Sequence, residues 1–148
     1  KASVAAIFST ITIGCLTLLT YKTPFGIFLS ASFGSSMVLL YGFPESPFAQ
    51  PKNIFCGHFI TTLIGILCIN YISLPIFINI ALAVGVGIFF MIILDVAHPP
   101  AGGNPIIVII GGVSYEYLIN PMIFGCVIIL LFGIILNKFI LKKNYPLK

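Results

Sequence analysis

Asp95 and His98 lie three residues apart in "LDVAHPPAGGNPIIVIIGG", residues 94–112, inside an otherwise apolar chain. On a continuing helix, residues at i and i+3 share a face. A carboxylate there can orient the imidazole and make it a proton carrier near neutral pH. The same spacing also suits a structural Asp–His hydrogen bond that tethers a broken helix, so both roles stay open. Just downstream, Gly102-Gly103-Asn104-Pro105 has the composition of a helix start. Proline fits a first turn, glycines let a ligand approach the backbone, and Asn104 is a plausible cap. Bare first-turn N–H groups carry partial positive charge and bind anions. Gly34-Ser35-Ser36 offers the same chemistry with hydroxyls.

His58 is a second candidate protonatable group, and its plainer reading is an interfacial or capping histidine. Lys52 follows Pro51 and can attract an anion at a pore mouth or serve only as a topology anchor. Asn53 is placed to cap a helix starting at Ile54. The candidate substrate-binding set is therefore Gly34, Ser35, Ser36, Lys52, His58, His98, Gly102, Gly103 and Asn104, with Asp95 and His98 for proton coupling. The competing reading of the glycines and serines is close helix packing, a common use of small residues in membranes.

Enzyme chemistry has little to work with. There is no GxSxG, HExxH or P-loop pattern. Glu45, Asp95 and Glu116 are the only acids. Cys15, Cys56, Cys68 and Cys126 form no CxxC and no zinc spacing. Expected are no catalytic residues, no metal, no cofactor and four reduced packing cysteines.

The elements that position these residues follow from composition. The chain is 59% hydrophobic and 7% charged, against roughly 25% charged in soluble proteins. That implies an integral membrane protein, one domain over 1–148, with the lipid bilayer as its solvent. Long apolar runs at Ala2–Thr20, Ile54–Ile72, Ile76–Val96 and Met122–Ile140 are each near the length that spans a bilayer. The run Phe25–Phe43 is interrupted at 30–36, and Ile106–Ile110 is too short to cross. Residues 44–53, polar and rich in proline, lie at a membrane face or line a polar cavity, and 113–120 reads as an interfacial loop. Lys138, Lys142, Lys143 and Lys148 crowd the C-terminal end, which by the positive-inside rule is cytoplasmic or stromal. No aromatic interleaving accompanies them, so nucleic acid is not an expected partner.

The pattern is long, short, long, twice over. An offset of 68 residues places Gly34 on Gly102, Ser36 on Asn104, Gly57 on Gly125 and Gly65 on Gly133. The expected fold is an all-α polytopic membrane protein. It has four long transmembrane helices and two short broken or re-entrant helices, arranged as two repeats over about 2–72 and 76–141. If both short segments cross, there are six passages and the halves are inverted. Lys52 then shares a side with the C-terminal tail and Glu116 faces the other way. If both are re-entrant, there are four passages and the halves are parallel. The lysine bias favours six.

"HPPAGGNP", 98–105, resembles the signature of the HPP family of integral membrane proteins. "SFGSSMVLLYGFPESPFAQPKNIFCGH", 32–58, is similar to that family's other marked region. The resemblance covers nearly the whole chain. It implies His98, Pro99, Pro100 and Gly102 as signature positions, with Gln50, Pro51, Lys52, Asn53, Gly57 and His58 in the first region. The family is found in bacteria, plants and fungi, and members in cyanobacteria and chloroplasts are associated with nitrite transport. Lys52 stands where arginine is common, which loses a planar bidentate anion contact. Ser35-Ser36 and Gly103 stand where alanine-type residues are frequent.

The expected function is a transporter or channel for a small inorganic anion, nitrite first, in a bacterial inner membrane or an organelle envelope. The alternative is a non-transporting membrane scaffold for a partner protein; a membrane-embedded enzyme ranks last. A homo-oligomer is expected.

Overall fold

A computed structural model describes residues 1–147; Lys148, one of the four tail lysines, lies outside the described residues. Four helices are long and apolar enough to cross a membrane: Ala2–Lys22, Pro51–Tyr71, Ile76–Ile93 and Leu118–Ile140. We call the first α1. The short helix α2, Ala31–Met37, runs on through a wider turn, Val38–Gly42. Next come α3 (Pro51–Tyr71) and α4 (Ile76–Ile93). A tight turn, Pro99–Gly103, leads into α5, Asn104–Gly111. The last span, α6, covers Leu118–Ile140 with a bend at Asn120 (φ −133°, ψ 110°), the residue before Pro121. No strand occurs among the described residues.

The first break falls earlier than the sequence suggests. "SASFGSS" is helical, and the non-helical stretch is 23–30, which contains Pro24 and Gly26 at φ +99°. The serines are compatible with a helix: Ser30 and Ser32 meet each other at 3.1 Å, and Ser36 Oγ lies 3.1 Å from the Ser32 carbonyl, within reach of the helix's own backbone. Gly34–Ser36 thus sit inside α2 rather than at its start. The α4 helix stops at Ile93, three residues short of expectation, because Asp95 turns left-handed (φ 54°). Asn53 is not a cap either. Gln50 precedes α3 with Pro51 in its first turn, and Asn53 sends its amide to the Ala97 carbonyl at 2.9 Å.

Contacts define two ends of the bundle. At one end, Lys1 meets Glu45, Lys52 meets Asp95, and the Tyr145 hydroxyl donates to the Ala49 carbonyl. At the other, Asn120 donates to the Phe25 carbonyl and Tyr115 meets Tyr71. The chain therefore traverses the bundle six times: α1, the 23–42 segment, α3, α4, the 94–111 segment and α6. Each of the two intermediate passages is half irregular and half short helix.

Glycines let the long helices approach these broken passages. A Cβ at Gly57 would lie 2.8 Å from His98 Cβ, 3.3 Å from the Val96 carbonyl oxygen and 3.5 Å from Ala101 Cβ. One at Gly65 would lie 3.1 Å from Val108. On α6, a Cβ at Gly125 would lie 2.5 Å from the Phe33 ring and 2.8 Å from the Phe28 carbonyl oxygen, and one at Gly133 would lie 2.7 Å from Leu40. Much of the core lies on α2, α6 and their neighbours, with Leu16, Phe33, Leu40 and Ile129 fully buried.

Candidate functional site

The two broken passages converge on α3, near its first two turns. Ser36 comes from α2, His58 from α3, His98 from the turn after α4, and Asn104 from the start of α5; all four are buried. His58 and His98 stack edge to face with centroids 4.9 Å apart, and Phe33 closes the other side of His58 at 5.2 Å. Gly57 makes this possible, since any side chain there would occupy the space of His98. Asn53 pins the 97–98 backbone alongside.

The hydrogen bonds run in one direction, set by what each partner can do. The Phe48 carbonyl, 2.8 Å from His98 Nδ1, only accepts, so Nδ1 carries a proton. Asn104 Nδ2 lies 2.9 Å from His58 Nδ1 and only donates, so that nitrogen is bare. The same amide reaches Thr61 Oγ1 at 3.1 Å and the His58 carbonyl at 3.3 Å. In its neutral form His58 then carries its proton on Nε2 and donates to Ser36 Oγ at 2.9 Å. Ser36 in turn reaches His98 Nε2 at 2.8 Å. The chain Asn104, His58, Ser36, His98, Phe48 is continuous, buried from Asn104 to His98 and half-buried at its Phe48 end, and without formal charge when both rings are neutral. Asn104 Oδ1 is buried with no partner.

Four of the sequence candidates are thus brought together, and the rest are not. Asp95 does not face His98: the helix ends before the i, i+3 geometry can form, and its fully exposed carboxylate lies 3.7 Å from Lys52. Lys52 is exposed at the rim and stands outside the cluster. Gly34 and Ser35 are exposed on α2; Ser35 lines a cleft of about 440 Å³ with Val38, Leu39, Pro99 and Pro100. Gly102 and Gly103 are half-buried in the turn before α5, with nothing within 4 Å of where a Cβ would be. Asn104 opens α5 but does not cap it: Gly103 holds the cap position, Asn104 is the first helical residue, and its Oδ1 accepts no backbone N–H. Thr61 and the Phe48 carbonyl join the cluster without having been singled out. Thr61 follows His58 by one helical turn, a spacing that could have marked it.

Among the described residues, no three or more His, Cys, Asp or Glu side chains group so as to hold a metal ion. All four cysteines are free, and Cys68 and Cys126 are buried as packing residues.

Four apolar spans and two broken passages around a buried polar centre define a polytopic, all-helical membrane protein. The profile of the HPP transmembrane region matches residues 1–146, and the chain belongs to that family. Two transmembrane proteins of Dictyostelium discoideum are similar. One is 32% identical over 126 residues, covering 80% of this chain and 44% of that protein. The other is 33% identical over 127 residues, covering 81% and 41%. The chain spans less than half the length of these relatives. No solved structure matches it.

Proposed function

We propose that the chain is a transporter or channel for a small inorganic anion, with nitrite the leading candidate. The observation that carries this reading is the buried cluster Ser36–His58–His98–Asn104, placed where two broken passages cross the bundle. Buried polar side chains in a membrane domain are expensive and are placed for function or paired. Two of these four residues sit on the short helices, Ser36 in the last turn of α2 and Asn104 at the first position of α5. In this arrangement the donors are engaged with one another. An anion enters by taking over one of their bonds, with Ser36 and Asn104 as its first contacts and His98 beside it. Gly34, Ser35, Gly102 and Gly103 flank that route, and Lys52 stands at the rim.

The architecture we infer is an inverted repeat, of the kind that builds a transport site from discontinuous helices. Support comes from contacts that exchange under the 68-residue offset. Gly57 meets the Val96 carbonyl and Ala101, while Gly125 meets the Phe28 carbonyl and Phe33. Gly65 meets Val108, while Gly133 meets Leu40. Every residue in the second pair of contacts is its counterpart in the first, shifted by 68. The end with Lys1, Lys52, Lys142 and Lys143 is then the cytoplasmic or stromal side, in a bacterial inner membrane or organelle envelope, and the protein acts without catalytic chemistry.

The test is uptake of nitrite, nitrate, formate and chloride into proteoliposomes, against protein-free vesicles, with the oligomeric mass measured on the same sample. Saturable or selective nitrite flux that falls in His58→Gln and Asn104→Leu supports the reading, and a homo-oligomer is expected. Absence of flux for every anion overturns it in favour of a membrane scaffold. The second reading draws on the greater length of the relatives, which leaves room for a partner domain.

A further inference from the structure

Ser36 has one hydroxyl proton and three neighbours that can share it or supply one. His58 Nε2 is at 2.9 Å, His98 Nε2 at 2.8 Å and the Ser32 carbonyl at 3.1 Å. With both rings neutral, Ser36 accepts from His58 and donates to His98, and the Ser32 carbonyl goes without. Suppose one proton is added at His98 Nε2. That ring then donates from Nδ1 to Phe48 and from Nε2 to Ser36. The hydroxyl turns to Ser32, still accepting from His58. Every donor is satisfied in both states, and the only change is a rotation of one hydroxyl.

His58 has no such second state. A proton on its Nδ1 would face the Asn104 amide protons. Reversing that amide would set Oδ1 against the His58 carbonyl, now 3.3 Å from Nδ2. We propose that His98 and Ser36 form a binding site for a single proton, with Ser36 as its two-position switch and His58 as a fixed, neutral donor. The proton comes from water and is held at His98 Nε2; no other bond forms or breaks. A cleft lined by Ser35 and Pro99, the chain neighbours of Ser36 and His98, opens beside the site.

Few ionisable groups bear on His98. The α3 helix brings His58 and, at the rim, Lys52, which pairs with Asp95 of the segment carrying His98. The segment 43–50 brings the Phe48 carbonyl, and its Glu45 pairs with Lys1. The α2 helix brings only Ser36, and α4 has no titratable side chain. No carboxylate within the cluster can compete for the proton.

The site is independent of whether an anion moves, so spectroscopy on the full chain in lipid nanodiscs tests it. Label the histidines with 15N and assign them with His58→Gln and His98→Gln. At about pH 8 one ring should carry its proton on Nε2 (His58) and the other on Nδ1 (His98). Acidification to about pH 4, low enough to charge a buried imidazole, should yield one doubly protonated ring, His98. Ser36→Ala should weaken that uptake about tenfold, since a charge-assisted bond is lost, and Ser36→Thr should restore it. The proposal is overturned if His58 takes the proton, if both rings titrate together, or if neither does. It is equally overturned if Ser36→Ala leaves the His98 titration unchanged. Should Ser36→Ala not fold, the tautomers and titration of the unaltered chain decide.

Discussion

The Asp95 carboxylate points out of the bundle toward Lys52 Nζ, 3.7 Å away. Asp95 is held at φ 54°, a left-handed conformation that Asn also tolerates. A pair this exposed exchanges freely with water and is screened by salt. Asp95→Asn should therefore leave thermal stability and any pH dependence of anion flux close to those of the parent chain. A collapse of the pH profile in that variant would return Asp95 to the proton machinery.

Glycine positions should sort by what a methyl group would meet. Gly57→Ala and Gly125→Ala each press on backbone carbonyls as well as side chains, and overpacking of this kind costs about 1–3 kcal/mol. Gly133→Ala meets only the branched end of Leu40 and should cost less. Gly85, exposed with open space around it, should tolerate alanine or gain slightly. Thermal unfolding in detergent ranks the four, and equal losses at Gly85 and Gly57 would contradict the packing described.

Asn53 ties the backbone before His98 to α3. Asn53→Ala should lose about 1 kcal/mol of stability. It should also broaden the His98 imidazole signal more than that of His58, because only the His98 segment is released. Unchanged His98 linewidths would show that the Phe48 bond alone holds the ring.

Six traverses place 45 and 95 at one end and 22 and 116 at the other. Single cysteines introduced at those positions into a cysteine-free background should label from opposite sides of the membrane with an impermeant reagent. Labelling of 45 and 116 from the same side would favour re-entrant segments and parallel halves.

Much of the fold was legible because hydrophobic length speaks directly. A run of about 20 apolar residues has few alternatives to a spanning helix, and α1, α3, α4 and α6 fall close to their expected ranges. The breaks were harder. "SASFGSS" reads as a gap by composition, yet Ser30 and Ser32 meet each other and Ser36 meets the two histidines, so α2 runs through it with these hydroxyls partnered. Asp95 and His98 look like a pair by spacing, but one left-handed residue rotates them onto different surroundings.

The residue inventory by itself determined a membrane protein with two polar interruptions, and it narrowed the polar candidates to a handful. Which of those candidates meet was decided only by tertiary structure. Ser36 and His98 are 62 positions apart, and His58 and Asn104 are 46 apart. Neither local periodicity nor propensity reports on pairs that distant. They converge because glycines on α3 and α6 let the broken passages pack against those helices. Donor and acceptor rules then leave one consistent direction for the hydrogen bonds between the two neutral rings.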